Sequence, residues 1–230
     1  MLTIKWWKRL SWTVKVWWSK NASLPIIAAA LLIPWKVTLK NVPEIGDIYT
    51  FIDILRWVWV LVNFTNNILE MDSTILNKSW FDLEKMKKMR ASILLLAPLL
   101  QRLWNISIPT PGGCTIWKRS IDSHLNGLRD IWYTYDQDED WVSLEWKTLS
   151  WDMEISAWLW VTSTENLIVA NVLRDGKTTI RMSAIEPHVM NLVDFLRTAW
   201  ANIHIRYDHT IIVEWVSELK TNFEFDVVSD

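Results

Sequence analysis

Two periodicities organise the chain. Apolar and polar residues alternate in short runs at Val37 to Leu39, Ile106 to Ile108, Thr179 to Arg181 and Ile203 to Ile205, and period-two runs of this kind predict strands. Between them apolar residues recur at helical spacing. Three of these helical stretches close on one signature, Leu-Arg followed after two residues by Trp: Leu55-Arg56 with Trp59, Leu128-Arg129 with Trp132, and Leu196-Arg197 with Trp200. The likeness extends backwards. Trp35-Lys36-Val37-Thr38-Leu39 precedes the first signature and Gly176-Lys177-Thr178-Thr179-Ile180 the last, with twenty residues from Lys to Arg in both. Strand, loop, amphipathic helix and strand, repeated three times, predict an α/β fold built from three β/α units. The longest uncharged apolar run, Leu24 to Trp35, falls short of the roughly 20 residues a spanning helix needs and carries Pro25 and Pro34 near its ends, so it predicts a buried core helix.

Composition changes this picture in one respect. Apolar residues make up 50% of 230, enough for a large core, and the net charge of -2 leaves no single-sign field for nucleic acid or an anionic membrane. Cys114 is the single cysteine, which excludes a disulfide framework. Met1 to Lys20 interleaves Lys and Arg with Trp and lacks the apolar core of a secretory signal, so a reducing cytoplasm is expected. The anomaly is 19 tryptophans against 5 glycines. Pooled, the two types make up about a tenth of the chain, whereas glycine alone ordinarily accounts for roughly 7%. The repeated Trp stands where each helix must stop, a position that often takes a left-handed backbone and favours glycine. In the repeat, Trp35 fills the slot that Gly176 fills later. The pairs Trp6-Trp7 and Trp17-Trp18, and the turn-like settings of Trp141, Trp146 and Trp151, suit neither an indole-rich core nor a carbohydrate-binding face. A gene that specifies glycine with UGA, read with UGA as tryptophan, gives this distribution. Most of the tryptophans are therefore expected at glycine positions. At order 1 kcal/mol each, indoles with left-handed backbone at half of them would cost about 10 kcal/mol, the whole stability of a typical domain.

Candidate chemistry concentrates in Thr110 to His124. Pro111-Gly112-Gly113 makes a loop whose backbone can approach a ligand closely, and Cys114 lies at its tip with Lys118 and Arg119 near in sequence, cations that favour a reactive thiolate. Ser19-Lys20-Asn21-Ala22-Ser23-Leu24-Pro25 sets a cation, an amide and two hydroxyls before an apolar helix; this suits an anion site, and equally an ordinary helix cap. Lys85, Lys87, Lys88 and Arg90 read as a solvated helix face, and Asp136, Asp138, Glu139 and Asp140 as a solvated hairpin turn. His188, His204 and His209 lack metal-ligand spacing, and no metal or cofactor is expected.

Taken in order, Lys20-Asn21 with Leu24-Pro25, Met89-Arg90-Ala91-Ser92, Pro111-Gly112-Gly113-Cys114 with Arg119, Asp122 and His124, Thr164-Glu165-Asn166, and Glu186-Pro187 resemble the UDP-N-acetylglucosamine enolpyruvyl transferases from about Ile4 to Val216. That resemblance implies an inside-out barrel domain, helices inside and sheets outside. It implies transfer of the enolpyruvyl group of phosphoenolpyruvate to the 3-hydroxyl of UDP-N-acetylglucosamine, an early cytoplasmic step of peptidoglycan synthesis. Cys114 would be the proton donor and the thiol that fosfomycin alkylates. Lys20 and Arg119 would hold the phosphate and carboxylate of phosphoenolpyruvate, and Asn21 would orient the substrate. Arg90 and Arg119, Ser120, Ile121, Asp122 and Ser123 would contact the UDP-sugar, with Asp122 at the uracil. Departures are the missing Lys in Trp160-Val161-Thr162-Ser163, where the diphosphate would lie, and Ile185 in place of an Arg. The family expects glycine at Trp7, Trp12, Trp18, Trp57 or its neighbour, Trp104, Trp117, Trp132, Trp200 and Trp215. It also expects roughly twice this length: residues 1-18 would be strands of a second domain, 19-216 the first domain, and 217-230 the crossover into that second domain, so this half alone would not turn over. The rival readings are a shikimate-pathway enolpyruvyl transferase and a non-catalytic binding protein that uses real tryptophans.

Overall fold

The computed structural model describes residues 11, 13, 18–77, 81, 83–87, 89–110, 121–131, 133–138, 140–147 and 151–229. It contains the repeat in three versions. The first unit runs α1 (Lys20–Ala29), β1 (Lys36–Lys40), α2 (Gly46–Trp57), β2 (Leu61–Thr65) and β3 (Ile68–Asp72). The second runs α3 (Leu83–Lys87), a 3-10 segment Arg90–Leu95, α4 (Leu96–Leu103), β4 (Asn105–Pro109), α5 (Asp122–Asp130), β5 (Tyr133–Gln137) and β6 (Trp141–Trp146). The third runs β7 (Met153–Ser156), α6 (Val161–Asn171), β8 (Lys177–Arg181), α7 (Pro187–Thr198), β9 (Asn202–Arg206) and β10 (Thr210–Glu214), and β11 (Phe223–Asp226) follows.

Every predicted strand lies inside an observed one, but each unit adds a hairpin return that pairs antiparallel with the strand before its outer helix: β3 on β1, β6 on β4, β10 on β8. The sheets are β11-β1-β3-β2, β4-β6-β5 and β7-β8-β10-β9. Helices α1 and α6 are buried on nearly every face, so the helices form the centre and the sheets the outer wall. The predicted core helix is α1 continued by a 3-10 turn, Ala30–Leu32, and Ser19 caps it by accepting the Ala22 N–H at 3.3 Å. The stretch 217–230 returns to the first sheet: β11 pairs parallel with β1, and Val227 N–H donates to the Lys40 carbonyl at 3.1 Å. Of residues 1–18 only Ser11, Thr13 and Trp18 are described, and none of the three is in a strand. Of the acidic run, Asp136 lies in β5, Asp138 and Asp140 lie between β5 and β6, and Glu139 is outside the described residues; Asp138 accepts the N–H groups of Asp140 and Trp141 at 2.8 and 2.7 Å.

The helix ends bear on the tryptophans. Trp59 after α2, Trp104 after α4 and Trp200 after α7 have φ of 69°, 65° and 73°, and Trp158 before α6 has 54°. This is the left-handed region, where a Cβ meets the following carbonyl oxygen and glycine is most at ease; Leu159, Met182, His209 and four asparagines also adopt it. Trp59 N–H donates to the Arg56 carbonyl at 3.1 Å and Trp200 N–H to the Arg197 carbonyl at 2.9 Å, so both stand at equivalent helix stops. Of the alternatives Trp57 and its neighbour, the stop falls at Trp59. Trp18, Trp35 and Trp215 do not adopt this backbone.

Candidate active site

The starts of the inner helices and of the outer helices beside them converge on one end of the domain. Lys20 opens α1 and its Nζ lies 2.9 Å from the Asp47 carboxylate in the first turn of α2. Both groups are half exposed, so the pair is a solvent-screened contact that a competing anion can exchange for its own. Asn21 follows on the exposed side of α1. Arg90 begins the 3-10 segment, half-buried, which differs from the solvated helix face expected of it. Ile121 is buried at the N-cap of α5, and Asp122 and Ser123 form the first turn of that helix.

A second layer ties these starts together. The Ser163 hydroxyl donates to the Ser123 carbonyl at 3.1 Å. His124, 3% exposed, has Nε2 at 3.1 Å from the Thr162 hydroxyl and Nδ1 at 2.9 Å from the Asn166 amide nitrogen. Burial, and the Arg90 cation nearby, push its pKa from 6.5 down to about 3, so the ring is neutral at pH 7. Glu165 is also buried; burial first, then the Glu186 charge, push its pKa well above the ordinary value. Helix α5 can lie this close to α6 because Gly127 faces Leu167, and a Cβ there would stand 2.9 Å from Leu167 Cδ2.

Lys20, Asn21, Arg90, Ile121, Asp122 and Ser123 are thus carried on three helix starts of one domain end, whose partial positive charge favours anions. Cys114, Arg119 and Ser120 lie outside the described residues. The described residues on either side are Thr110, whose N–H donates to the Asp140 carbonyl at 2.7 Å just after β4, and Ile121 at the start of α5. Among the described residues no group of three His, Cys, Asp or Glu side chains is placed to hold a metal ion, and no helix is long and apolar enough to cross a membrane. The contacts of His124 with Thr162 and Asn166 were not foreseen from sequence; the signals were His124 and the Thr164-Glu165-Asn166 motif, both quoted for the family resemblance.

Comparison with known proteins decides the family. The profile described as EPSP synthase (3-phosphoshikimate 1-carboxyvinyltransferase) matches residues 4–230. The chain belongs to the EPSP synthase family. Within it, the chain is 35% identical over its whole length to the UDP-N-acetylglucosamine 1-carboxyvinyltransferase of Chlorobaculum parvum, covering 54% of that protein. It is 36% identical over 96% of its length to the protein of the same name from Idiomarina loihiensis, covering 53% of it. The chain spans about half the length of the curated relatives it matches. The enolpyruvyl transferase NikO from Streptomyces tendae superposes with a TM-score of 0.83 over 97% of this chain and 53% of that one, at 16% identity. An EPSP synthase from Acinetobacter baumannii gives 0.75 over 94% and 49%, at 14% identity. These two likenesses establish the enolpyruvyl-transferase fold: an α/β domain of three repeated units.

Proposed function

We propose that this chain supplies the first-domain half of an enzyme that moves the enolpyruvyl group of phosphoenolpyruvate onto the 3-hydroxyl of UDP-N-acetylglucosamine, a cytoplasmic reaction of peptidoglycan synthesis. The observation that carries the reading is the Pro111-Gly112-Gly113-Cys114 motif, which falls in sequence between β4 and α5, in a chain that matches about half of two proteins bearing that enzyme's name. In the reaction the sugar hydroxyl adds to C2 of phosphoenolpyruvate and gives its proton to a base of the second domain, while the Cys114 thiol gives its proton to C3. Return of a proton from C3 to the thiolate and loss of phosphate from C2 then restore the double bond in the product. Lys20 and Arg119 neutralise the phosphate and carboxylate, where charge must be held through the addition. Asn21 orients the substrate. Arg90, Arg119, Ser120, Ile121, Asp122 and Ser123 take the UDP-sugar, with Asp122 at the uracil.

A second reading, transfer to shikimate 3-phosphate, follows the activity for which the family is named, 3-phosphoshikimate 1-carboxyvinyl transfer; enzymes of that kind are expected to lack the Pro-Gly-Gly-Cys motif. Calorimetric titration separates the two: UDP-N-acetylglucosamine should bind and shikimate 3-phosphate should not. The reverse result would reject the UDP-sugar assignment. Phosphate release is expected only from a longer product that includes a second domain, and fosfomycin is expected to add to Cys114 there. Robust turnover by residues 1–230 alone would refute the requirement for that domain.

A further inference from the structure

Asn166 is held by its own neighbours before His124 is considered. Its Oδ1 accepts the Ala97 N–H at 3.4 Å, and its Nδ2 donates to the Ile93 carbonyl at 3.1 Å. These two bonds fix which end of the amide is nitrogen. The second Nδ2 hydrogen therefore faces His124 Nδ1 at 2.9 Å, and Nδ1 must be the acceptor. The ring proton is left on Nε2, which donates it to the Thr162 hydroxyl at 3.1 Å. Protonating the ring would set an N–H against the amide N–H, in a residue only 3% exposed to water. The low pKa agrees with that arrangement, and Arg90 is the charged neighbour that adds to it.

We propose that His124 and Asn166 are a positioning pair: together they set the first turn of α5, with Asp122 and Ser123, in register with the start of α6 and with the 3-10 segment that Arg90 opens. The pair touches no substrate. Asn166 reaches the 3-10 segment through Ile93 and α4 through Ala97, and His124 reaches α6 through Thr162. Segments distant in sequence are locked by two side chains, and two of them, the 3-10 segment with Arg90 and α5 with Asp122 and Ser123, carry residues assigned above to the UDP-sugar. The link to the UDP-sugar rests on the proposed function; the lock itself does not.

The test begins with 15N NMR of the imidazole in the 230-residue chain. Nδ1 is expected unprotonated and Nε2 protonated from pH 5 to 8; an Nδ1–H tautomer, or a titration near 6.5, would overturn the pair. Amide exchange at His124 and Leu125, both bonded to the Ile121 carbonyl in the first turn, is then compared between the parent and Asn166→Leu. An increase of about tenfold or more confined to this turn is expected, the equivalent of one net hydrogen bond. A change no larger than that in α7 would refute it. His124→Gln, which keeps an acceptor and a donor, should restore more of the slow exchange than His124→Leu, whereas a packing role would favour Leu. In the folded variants, UDP-N-acetylglucosamine affinity should drop by about tenfold for Asn166→Leu. Unchanged affinity in a protein whose first turn has loosened would sever the link to the ligand. If the parent itself binds no UDP-sugar, the proposed function fails, and tautomer and exchange still decide the lock.

Discussion

The first and third units follow one plan closely enough for their differences to be informative. Ser23 and Thr164 each donate a hydroxyl to the carbonyl four residues back, at 2.7 and 2.9 Å. Arg56 and Arg197 each reach forward six residues, to the Val62 and Ile203 carbonyls at 3.0 and 2.8 Å, and each lies by an Asp three residues before it. Trp59 and Trp200 stop their helices with nearly the same φ. The units part at the entry to the strand. Gly176 has φ of 96°, and a Cβ there would stand 2.6 Å from the Trp151 carbonyl oxygen; Trp35, in the matching slot, keeps an ordinary backbone and is half exposed. Equivalent slots in a repeat therefore need not impose equal backbones. The pairing of Trp35 with Gly176 is weak evidence that position 35 needs glycine, while the left-handed φ at 59 and 200 is strong evidence there.

The sharpest way to break this comparison is at position 176. Gly176→Ala adds left-handed strain and a Cβ that must displace the Trp151 carbonyl, which also accepts two hydrogen bonds from the buried Arg174 at 3.2 Å. A loss of about 2–5 kcal/mol is expected, read from urea unfolding midpoints. Trp35→Gly, the reciprocal exchange, should move stability by less than about 1 kcal/mol. Equal effects at the two slots would mean that the repeat, not the local backbone, sets the requirement.

A smaller effect of opposite sign is expected at the helix stops. Trp59→Gly and Trp200→Gly each relieve a left-handed Cβ and should stabilise by about 1 kcal/mol, adding nearly fully because the stops lie in separate units. Both indoles are about half exposed or more, at 49% and 63%, so little packing is lost. Mass spectrometry of the protein from its own cells should find glycine at 59, 104, 158 and 200. Indoles at these positions would remove the expectation that UGA was misread.

The sequence made the repeat legible because local signals mark it: strand periodicity, helix spacing and the Leu-Arg-x-x-Trp stop. The hairpin returns were not read, although Asn66-Asn67, with φ of 51° and 61°, is a two-residue turn that asks for left-handed residues. The parallel pairing of β11 with β1 joins segments about 180 residues apart and leaves no local trace. Within the site, Lys20, Asn21 and Arg90 were visible as residue types, but not Lys20's contact with Asp47 or Arg90's partial burial. His124 was noted as part of a motif; its burial depends on α6, forty residues further on, and could not be inferred from its own neighbours.

The inner helices supply the last and smallest contrast. Leu24 in α1 corresponds to Glu165 in α6, and both are buried. Burial, and then Glu186, raise the Glu165 pKa well above 4.5, so the folded state holds a proton that the unfolded state gives up. The stability tied to that proton is present at acid pH and is lost as pH rises above 4.5 towards the folded pKa, with a slope of at most about 1.4 kcal/mol per pH unit. His124 works in the other direction: its folded pKa of about 3 lies below 6.5, so its cost appears as pH falls below 6.5. The difference in stability between the parent and Glu165→Leu, which installs the first unit's residue and leaves His124 in place, therefore isolates the carboxyl. Followed upward from pH 4.5 in urea unfolding, the parent should lose stability relative to Glu165→Leu. Parallel curves would mean that Glu165 ionises as readily in the folded protein as in the unfolded one, and that its environment is more polar than its burial and the absence of an Oε1 partner among the described residues indicate.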